Sequence, residues 1–284
     1  MRAIFELENM TLSAAIVLGA LGQVGELMAR VVTHEVLLVD VLPRPETIDA
    51  RRYLQTDVTR PDDALLRAIA GADCVVMCLP ECAALASAPS ILDAMPRGAL
   101  WVDTLSVKQN ICGLLRRYEE KLELISINPM FAPSLGFADH SVAFVEISSG
   151  PKSHEFAETL RSLGAAVEMV TPEMHDKLTA AIQVATHAAV LSFGMVLFEL
   201  GYDVGKGLAI ATPPHLMLLS LLNRISSANP EVYWDIQHHH PDAASVRERL
   251  SDAVRALDSA ARADSPHEFQ LLFERLQGLH NSQE

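Results

Sequence analysis

Basic residues are scarce in this chain. Lys and Arg total 22 against 36 Asp and Glu, a formal charge of −14. That balance argues against a nucleic-acid partner, whose phosphate backbone needs clustered Lys and Arg. It leaves room for a small anion, because one or two local arginines can hold a carboxylate in an acidic protein. Cysteine is scarce too: Cys74, Cys78, Cys82 and Cys112. The spacing of the first three matches neither a zinc knuckle nor a redox Cys-x-x-Cys, and no metal site is expected. On a strand, Cys74 and Cys78 share one face as small apolar fillers. The opening stretch Met1 to Met10 lacks a basic apolar run and reads as an extra leading segment, not a targeting peptide. Few cysteines and no secretory signal imply a reducing cytoplasm. Internal repeats and low-complexity linkers are also missing.

What is present is apolar and periodic. Half of the 284 residues are hydrophobic, enough for two domains with substantial cores. Ala14–Leu18 is a strand, followed by a glycine turn and a helix over Glu26–Val32. Val36–Val39 is a second strand ending in Asp40. Pro61–Ala70 is a helix. Asp73–Leu79, Ala99–Val102 and Leu122–Ile127 are strands closed by Pro80, Asp103 and Asn128. Strand Val142–Ile147, helix Ser153–Leu163 and strand Ala166–Val170 follow. Alternating short strands and helices imply a doubly wound parallel sheet of Rossmann type, covered by helices on both faces. From Pro172 the pattern turns all-helical: 173–200, 214–227, 231–238, 243–263 and 266–279. The expected domains are therefore 1–171 and 172–284. His238-His239-His240 reads as a helix end. Ala180–Leu200 has the length of a membrane span. Gln183, Thr186, His187, Ser192 and Glu199 interrupt it, and no basic or aromatic flanks frame it. A helix buried on most sides, at a subunit interface, is expected, with no membrane partner.

Gly19-Ala20-Leu21-Gly22-Gln23-Val24-Gly25 lies between the first strand and the first helix. There a dinucleotide pyrophosphate meets helix N-terminal amides, including those of Gln23 and Val24. Ala20 replaces the first glycine of Gly-x-Gly-x-x-Gly, while Gly22 and Gly25 match the second and third. Gly22 lets the backbone approach the phosphates. A glycine pattern alone is weak, but strand, turn, helix and Asp40 come in order. Asp40 can accept from ribose hydroxyls and repels a 2′-phosphate, which favours NAD over NADP; nearby Arg44 pulls the other way. Pro80, closing a strand at the same sheet edge, joins the cofactor-binding candidates.

Four further segments carry chemistry: Asp103-Thr104-Leu105-Ser106-Val107-Lys108, Asn128-Pro129-Met130-Phe131-Ala132-Pro133, Pro172-Glu173-Met174-His175-Asp176 with His187 twelve residues after His175, and Arg224 six residues before Pro230. Taken singly, Ser106 could cap a helix, His187 could be a satisfied core residue and Arg224 a surface charge. Together, in order and spacing, they resemble the prephenate dehydrogenases, from about Ser13 to Leu279. The resemblance implies a Rossmann domain, an all-α dimerisation domain, a homodimer and an active site at the domain cleft. It implies that Ser106 contacts the reacting carbon's substituent and the nicotinamide, that His187 is catalytic and that Arg224 binds a carboxylate of a small dicarboxylate substrate. Gln183 and Thr186 are supporting contacts on the same helix. A non-catalytic NAD sensor would need none of Ser106, His187 and Arg224. A β-hydroxyacid dehydrogenase would use a lysine base on the long helix, and Lys177 is misplaced for that.

The family has histidine where this chain has Asn128. That histidine takes the proton of the C4 hydroxyl as hydride leaves C4. An amide cannot take up a proton near neutral pH, although its oxygen accepts hydrogen bonds. Losing a general base costs on the order of 10²–10⁴ in rate. Two expectations follow. With an amine at C4, the nitrogen lone pair already pushes hydride out and an N–H can donate to Asn128. In carrying Asn here the chain resembles dehydrogenases acting on 4-amino-4-deoxyprephenate, which yield 4-aminophenylpyruvate for p-aminophenylalanine units of specialised metabolites such as antibiotics. The alternative is a prephenate dehydrogenase of tyrosine biosynthesis, with another proton outlet.

Overall fold

The computed structural model describes residues 14–32 and 35–281. The leading segment Met1 to Met10 lies outside the described residues. The chain divides into two compact units, Met1–Lys177 and Leu178–Glu284.

The first unit holds one eight-stranded sheet. Its strands are β1 (Ala14–Leu18), β2 (Glu35–Asp40), β3 (Tyr53–Gln55), β4 (Cys74–Met77), β5 (Leu100–Asp103), β6 (Glu123–Pro129), β7 (Ser141–Ser148) and β8 (Ala166–Met169), in the order β3-β2-β1-β4-β5-β6-β7-β8. The helices are α1 (Gln23–Ala29), α2 (Asp63–Ala70), α3 (Glu81–Ala94), α4 (Gln109–Leu115), α5 (Pro151–Ser162) and α6 (Pro172–Thr179), whose last two residues belong to the second unit. Strand side chains alternate between two cores. Ala15, Val17, Cys74 and Val76 join Leu27, Met28, Phe156 and Leu160 of α1 and α5. Ile16, Leu18, Val75 and Met77 join Leu65, Ile69, Ile91, Leu92 and Ile111 of α2, α3 and α4. Strands buried on both faces read as continuous apolar runs, which is why β1 and β4 stand out in the sequence. Cys74 and Cys78 pack on the same core face.

Strand β3 has no counterpart in the sequence-based expectation, and three further features depart from it. Strand β7 runs antiparallel to β6. The connection over 130–140 holds only a 3₁₀ turn, Pro133–Leu135, with no crossover helix, and without a crossover the next strand must reverse. Helix α3 gave no sequence signal because its apolar residues do not gather in one stripe. Helix α1 starts at Gln23, capped by Gly22, and not at Glu26.

The second unit is helical among the described residues. A π-helical turn, Ala180–Ala185, precedes α7 (Thr186–Glu199), and then come α8 (Val204–Leu208), α9 (Pro213–Ser226), α10 (Pro230–His239), α11 (Ala243–Ala261) and α12 (His267–Asn281). Its buried cluster is small: Val184, Ile236 and Ala243. The expectation of a helix buried on most sides fails within one chain. The helical stretch 172–199 is long and apolar enough to cross a membrane by length and composition: an 18-residue window within it has mean hydropathy 1.7, yet only 11% of that window is buried. The three histidines do end a helix, each with its own partners: His238 stacks on Trp234, His239 faces Asp235, and His240 meets Thr179.

Candidate active site

The carboxyl ends of β2, β1, β4, β5 and β6 bring Asp40, Gly19, Pro80, Ser106 and Asn128 to one edge of the sheet. The strand order reverses direction between β1 and β4, which is where ligands bind in open α/β sheets. The three glycines of the turn do different jobs. Gly19 has φ +76°, and an added Cβ would lie 2.4 Å from the Cys78 carbonyl oxygen. At Gly25 a Cβ would lie 2.1 Å from the Gly19 oxygen. Both are demanded by the chain itself. Gly22 is not: its φ is −71°, and a Cβ there would meet only the Gly19 oxygen, at 3.4 Å. A glycine that its own protein does not require fits a cradle where a phosphate must approach the backbone. Since Gly19 makes the tight turn, Ala20 needs no positive φ and sits buried. The first turn of α1, with Gln23 and Val24, leaves its amides without intrahelical acceptors.

Asp40 is buried, and its carboxylate accepts from Leu21 N at 2.9 Å and Leu42 N at 3.0 Å. It thereby ties the glycine turn to the end of β2, and each oxygen keeps a second lone pair for a ribose hydroxyl. The Arg44 guanidinium donates to the Ile48 and Pro45 carbonyls of its own loop.

Behind the β5 turn lies a fully buried polar cluster. Lys108 Nζ donates to Leu105 O (2.6 Å), Ser126 Oγ (2.8 Å) and Ile127 O (2.7 Å), and lies 3.8 Å from Asp103. Ser126 donates to Asp103 at 2.6 Å. Burial pushes the lysine below its usual value, opposed by the Asp103 charge. Three donors meeting three acceptors fix the backbone directly before Asn128. Ser106 does not cap α4. That duty falls to Asp176, which accepts from Lys108 N (2.9 Å) and Gln109 N (3.0 Å). The Ser106 hydroxyl, half-buried, has no hydrogen-bond partner among the described residues.

Asn128 is 3% exposed, and its Nδ2 lies 3.1 Å from Nε2 of His175. His175 Nδ1 lies 2.8 Å from Asp176 Oδ1. Neither His175 nor Asp176 was assigned a role from sequence. Their signal is the Pro172–Asp176 segment, which carries the resemblance without a role for either residue; His175 lies 47 positions from Asn128, and only the fold joins them.

In the second unit, Gln183 falls in the π turn, so it does not share a regular α-helical face with His187. The His187 ring packs edge-on against Tyr233, centroids 4.8 Å apart. Burial pushes its pKa down to about 4. His187 Nδ1 and Gln183 Oε1 are buried without a hydrogen-bond partner among the described residues. The Thr186 hydroxyl donates to Ala181 O at 3.3 Å. Arg224, exposed on the last turn of α9, pairs with no carboxylate among the described residues.

Residues 171–277 match the family described as prephenate dehydrogenase, dimerization domain. The chain is 39% identical over 266 residues to the 4-amino-4-deoxyprephenate dehydrogenase of Streptomyces pristinaespiralis, covering 93% of this chain and 90% of that one. This chain belongs to the prephenate dehydrogenase family. A probable arogenate/prephenate dehydrogenase of Methanocaldococcus jannaschii is 28% identical over 58% of this chain and 38% of its own length. A solved prephenate dehydrogenase from A. aeolicus, in complex with hydroxyphenyl propionate and NAD+, shares the fold with TM-score 0.69 at 14% identity, over 96% of this chain and 98% of that one. The family is one of oxidoreductases. Its fold is the one expected, a Rossmann-type sheet followed by a helical dimerisation domain.

Proposed function

We propose that this enzyme oxidatively decarboxylates 4-amino-4-deoxyprephenate to 4-aminophenylpyruvate, using NAD. The observation that carries the proposal is Asn128, an amide at the position of a proton acceptor, whose Oδ1 accepts no hydrogen bond from the described residues. The name of the Streptomyces pristinaespiralis relative supports the same substrate.

In the proposed reaction the C4–H bond breaks as a hydride departure and the bond to the ring carboxylate breaks to release carbon dioxide. The electrons of that second bond complete the aromatic ring. A neutral C4 amine assists with its lone pair and keeps its protons, so no side chain need take one up. NAD, when bound, supplies the hydride acceptor. Gly19, Gly22, Gly25, the Gln23 and Val24 amides, Asp40 and Pro80 would hold it; the fit rests on Gly22, which nothing in the chain requires. Asn128 accepts an amine N–H, and Ser106 contacts the C4 substituent. His187, neutral at physiological pH given its lowered pKa, and Gln183 offer unpartnered polar atoms to the substrate, with Thr186 beside them. Arg224 binds a substrate carboxylate. The exposed apolar helices of the second unit pair two copies into a homodimer, as the match to a dimerisation domain supports. Four free cysteines, with the Cys78 and Cys112 thiols pushed up to about 12 by burial, suit the cytoplasm.

The test is NADH formation with each substrate. The amino compound should exceed prephenate in kcat/KM by at least about tenfold, the worth of roughly one well-made hydrogen bond. Asn128→His should move the preference toward prephenate. Faster turnover of prephenate by the unaltered enzyme overturns the proposal in favour of a tyrosine-pathway enzyme.

A further inference from the structure

The side chain of Asn128 has two opposite ends: Oδ1 accepts and Nδ2 donates. Which end meets the substrate decides what a C4 substituent can do there. The neighbours of Asn128 supply the answer through a chain of donors and acceptors.

The chain starts at Asp176. Burial by itself would raise its carboxyl, but hydrogen bonds from His175, Lys108 N and Gln109 N outweigh that and hold it below the usual carboxylate range. An ionised carboxylate only accepts. The His175 Nδ1, at 2.8 Å from Oδ1, therefore carries a hydrogen. In a neutral ring that leaves Nε2 with a lone pair, 3.1 Å from the Asn128 amide. A lone pair accepts an N–H. Turning the amide over would set Oδ1 against Nε2, two acceptors face to face. So Nδ2 is drawn to His175 and Oδ1 is turned away from it. The Lys108 ammonium holds the Ile127 carbonyl at 2.7 Å, which fixes the strand end from which the amide projects.

We propose that His175, kept in one tautomer by Asp176, orients Asn128 so that Oδ1 faces the C4 substituent, making both positioning residues for selection of an N–H donor. The proposal rests on the amine substrate assigned above. It explains why an amide can serve here where a freely rotating one would present donor and acceptor alike.

Two measurements on the full chain test it. Long-range nitrogen–proton NMR of histidine-labelled protein, with His175 assigned by its loss in His175→Gln, reads the ring directly. The expected ring has a protonated Nδ1 and a bare Nε2. A protonated Nε2 overturns the proposal, whichever substrate the enzyme prefers. The second measurement is the ratio of kcat/KM for 4-amino-4-deoxyprephenate over prephenate. His175→Leu, which removes the acceptor, should lower the ratio about tenfold, the loss of roughly one oriented hydrogen bond. His175→Gln, whose amide oxygen can occupy the place of Nε2, should hold the ratio within about threefold, less than one hydrogen bond's worth. An equal fall for both substrates in His175→Leu marks a merely structural role and overturns the proposal. Should the unaltered enzyme prefer prephenate, the substrate assignment fails on its own, and the ring tautomer still decides the orientation of Asn128.

Discussion

The sheet unit and the helical unit handle apolar surface in opposite ways. In the first, alternate side chains of each central strand enter one of two cores, and Val17, Leu65, Trp101 and Phe156 have no solvent contact. In the second, Phe198 is 83% exposed, Met195 70% and Ile210 86%, around a buried cluster of Val184, Ile236 and Ala243. Buried polar groups differ in degree. The sheet unit matches the donors of Lys108 and Ser126 around Asp103 and leaves His140 Nδ1 unpartnered among the described residues. The helical unit buries Gln183 Oε1 and His187 Nδ1 with no partner among them. One unit leaves little large apolar surface exposed; the other leaves apolar helices open and two buried polar atoms without partners among the described residues.

That contrast can be broken at four points, of decreasing size. Lys108→Met leaves Asp103 buried without its cation and should destabilise the sheet unit by about 3–5 kcal/mol. Trp101, in that unit, reports its unfolding by fluorescence in a Trp234→Phe background. Phe198→Glu should dissociate the proposed dimer: about 2 kcal/mol is lost per copy, twice across a two-fold interface, or roughly a thousandfold in Kd by ultracentrifugation. Gly22→Ala should weaken NAD binding about tenfold with no change in Tm, because the loss of one good contact to the cofactor is felt only when it binds. Gly25→Ala, by contrast, should lower Tm outright. The last effect is acid lability, which costs almost nothing at neutral pH. His187 titrates near 4 when folded, below its ordinary 6.5. The unfolded chain therefore takes the proton first, and the helical unit loses stability as pH falls from 6.5 toward 4. Asp176, held below the usual carboxylate range, keeps its contribution until pH drops through that lowered value. Trp234 fluorescence should thus respond at higher pH than Trp101. Simultaneous loss of both signals would show that the two units do not differ in this respect.

Much of this was legible in the sequence. Strands β1 and β4 are unbroken apolar runs, α2 falls inside the helix expected over Pro61–Ala70, and Asp40 ends β2 after the glycine turn. Asn128 stood out because one residue type broke a familiar motif. What could not be read was contact between distant segments. Asp176 caps a helix that begins at Gln109, and His175 meets Asn128 across 47 positions. Local pattern carries no information about such pairs. The reversal of β7 was hidden for a related reason: a strand's periodicity is the same in either direction. The expectation for α7 named a subunit interface, and a single chain leaves the helix exposed; an apolar helix reads alike in sequence whether its own chain or a partner covers it.

The π turn at Ala180–Ala185 has a consequence of its own. Such a turn is an α-helix with one residue too many, and each residue turns the helix by about 100°. It acts as an angular offset inserted ahead of His187. Removing a single alanine from it would swing His187, and all of α7 after it, about a quarter-turn relative to Leu178 and Thr179 just ahead of it. The direction in which the helix aims its histidine is therefore set by a count of residues, independently of which residues they are.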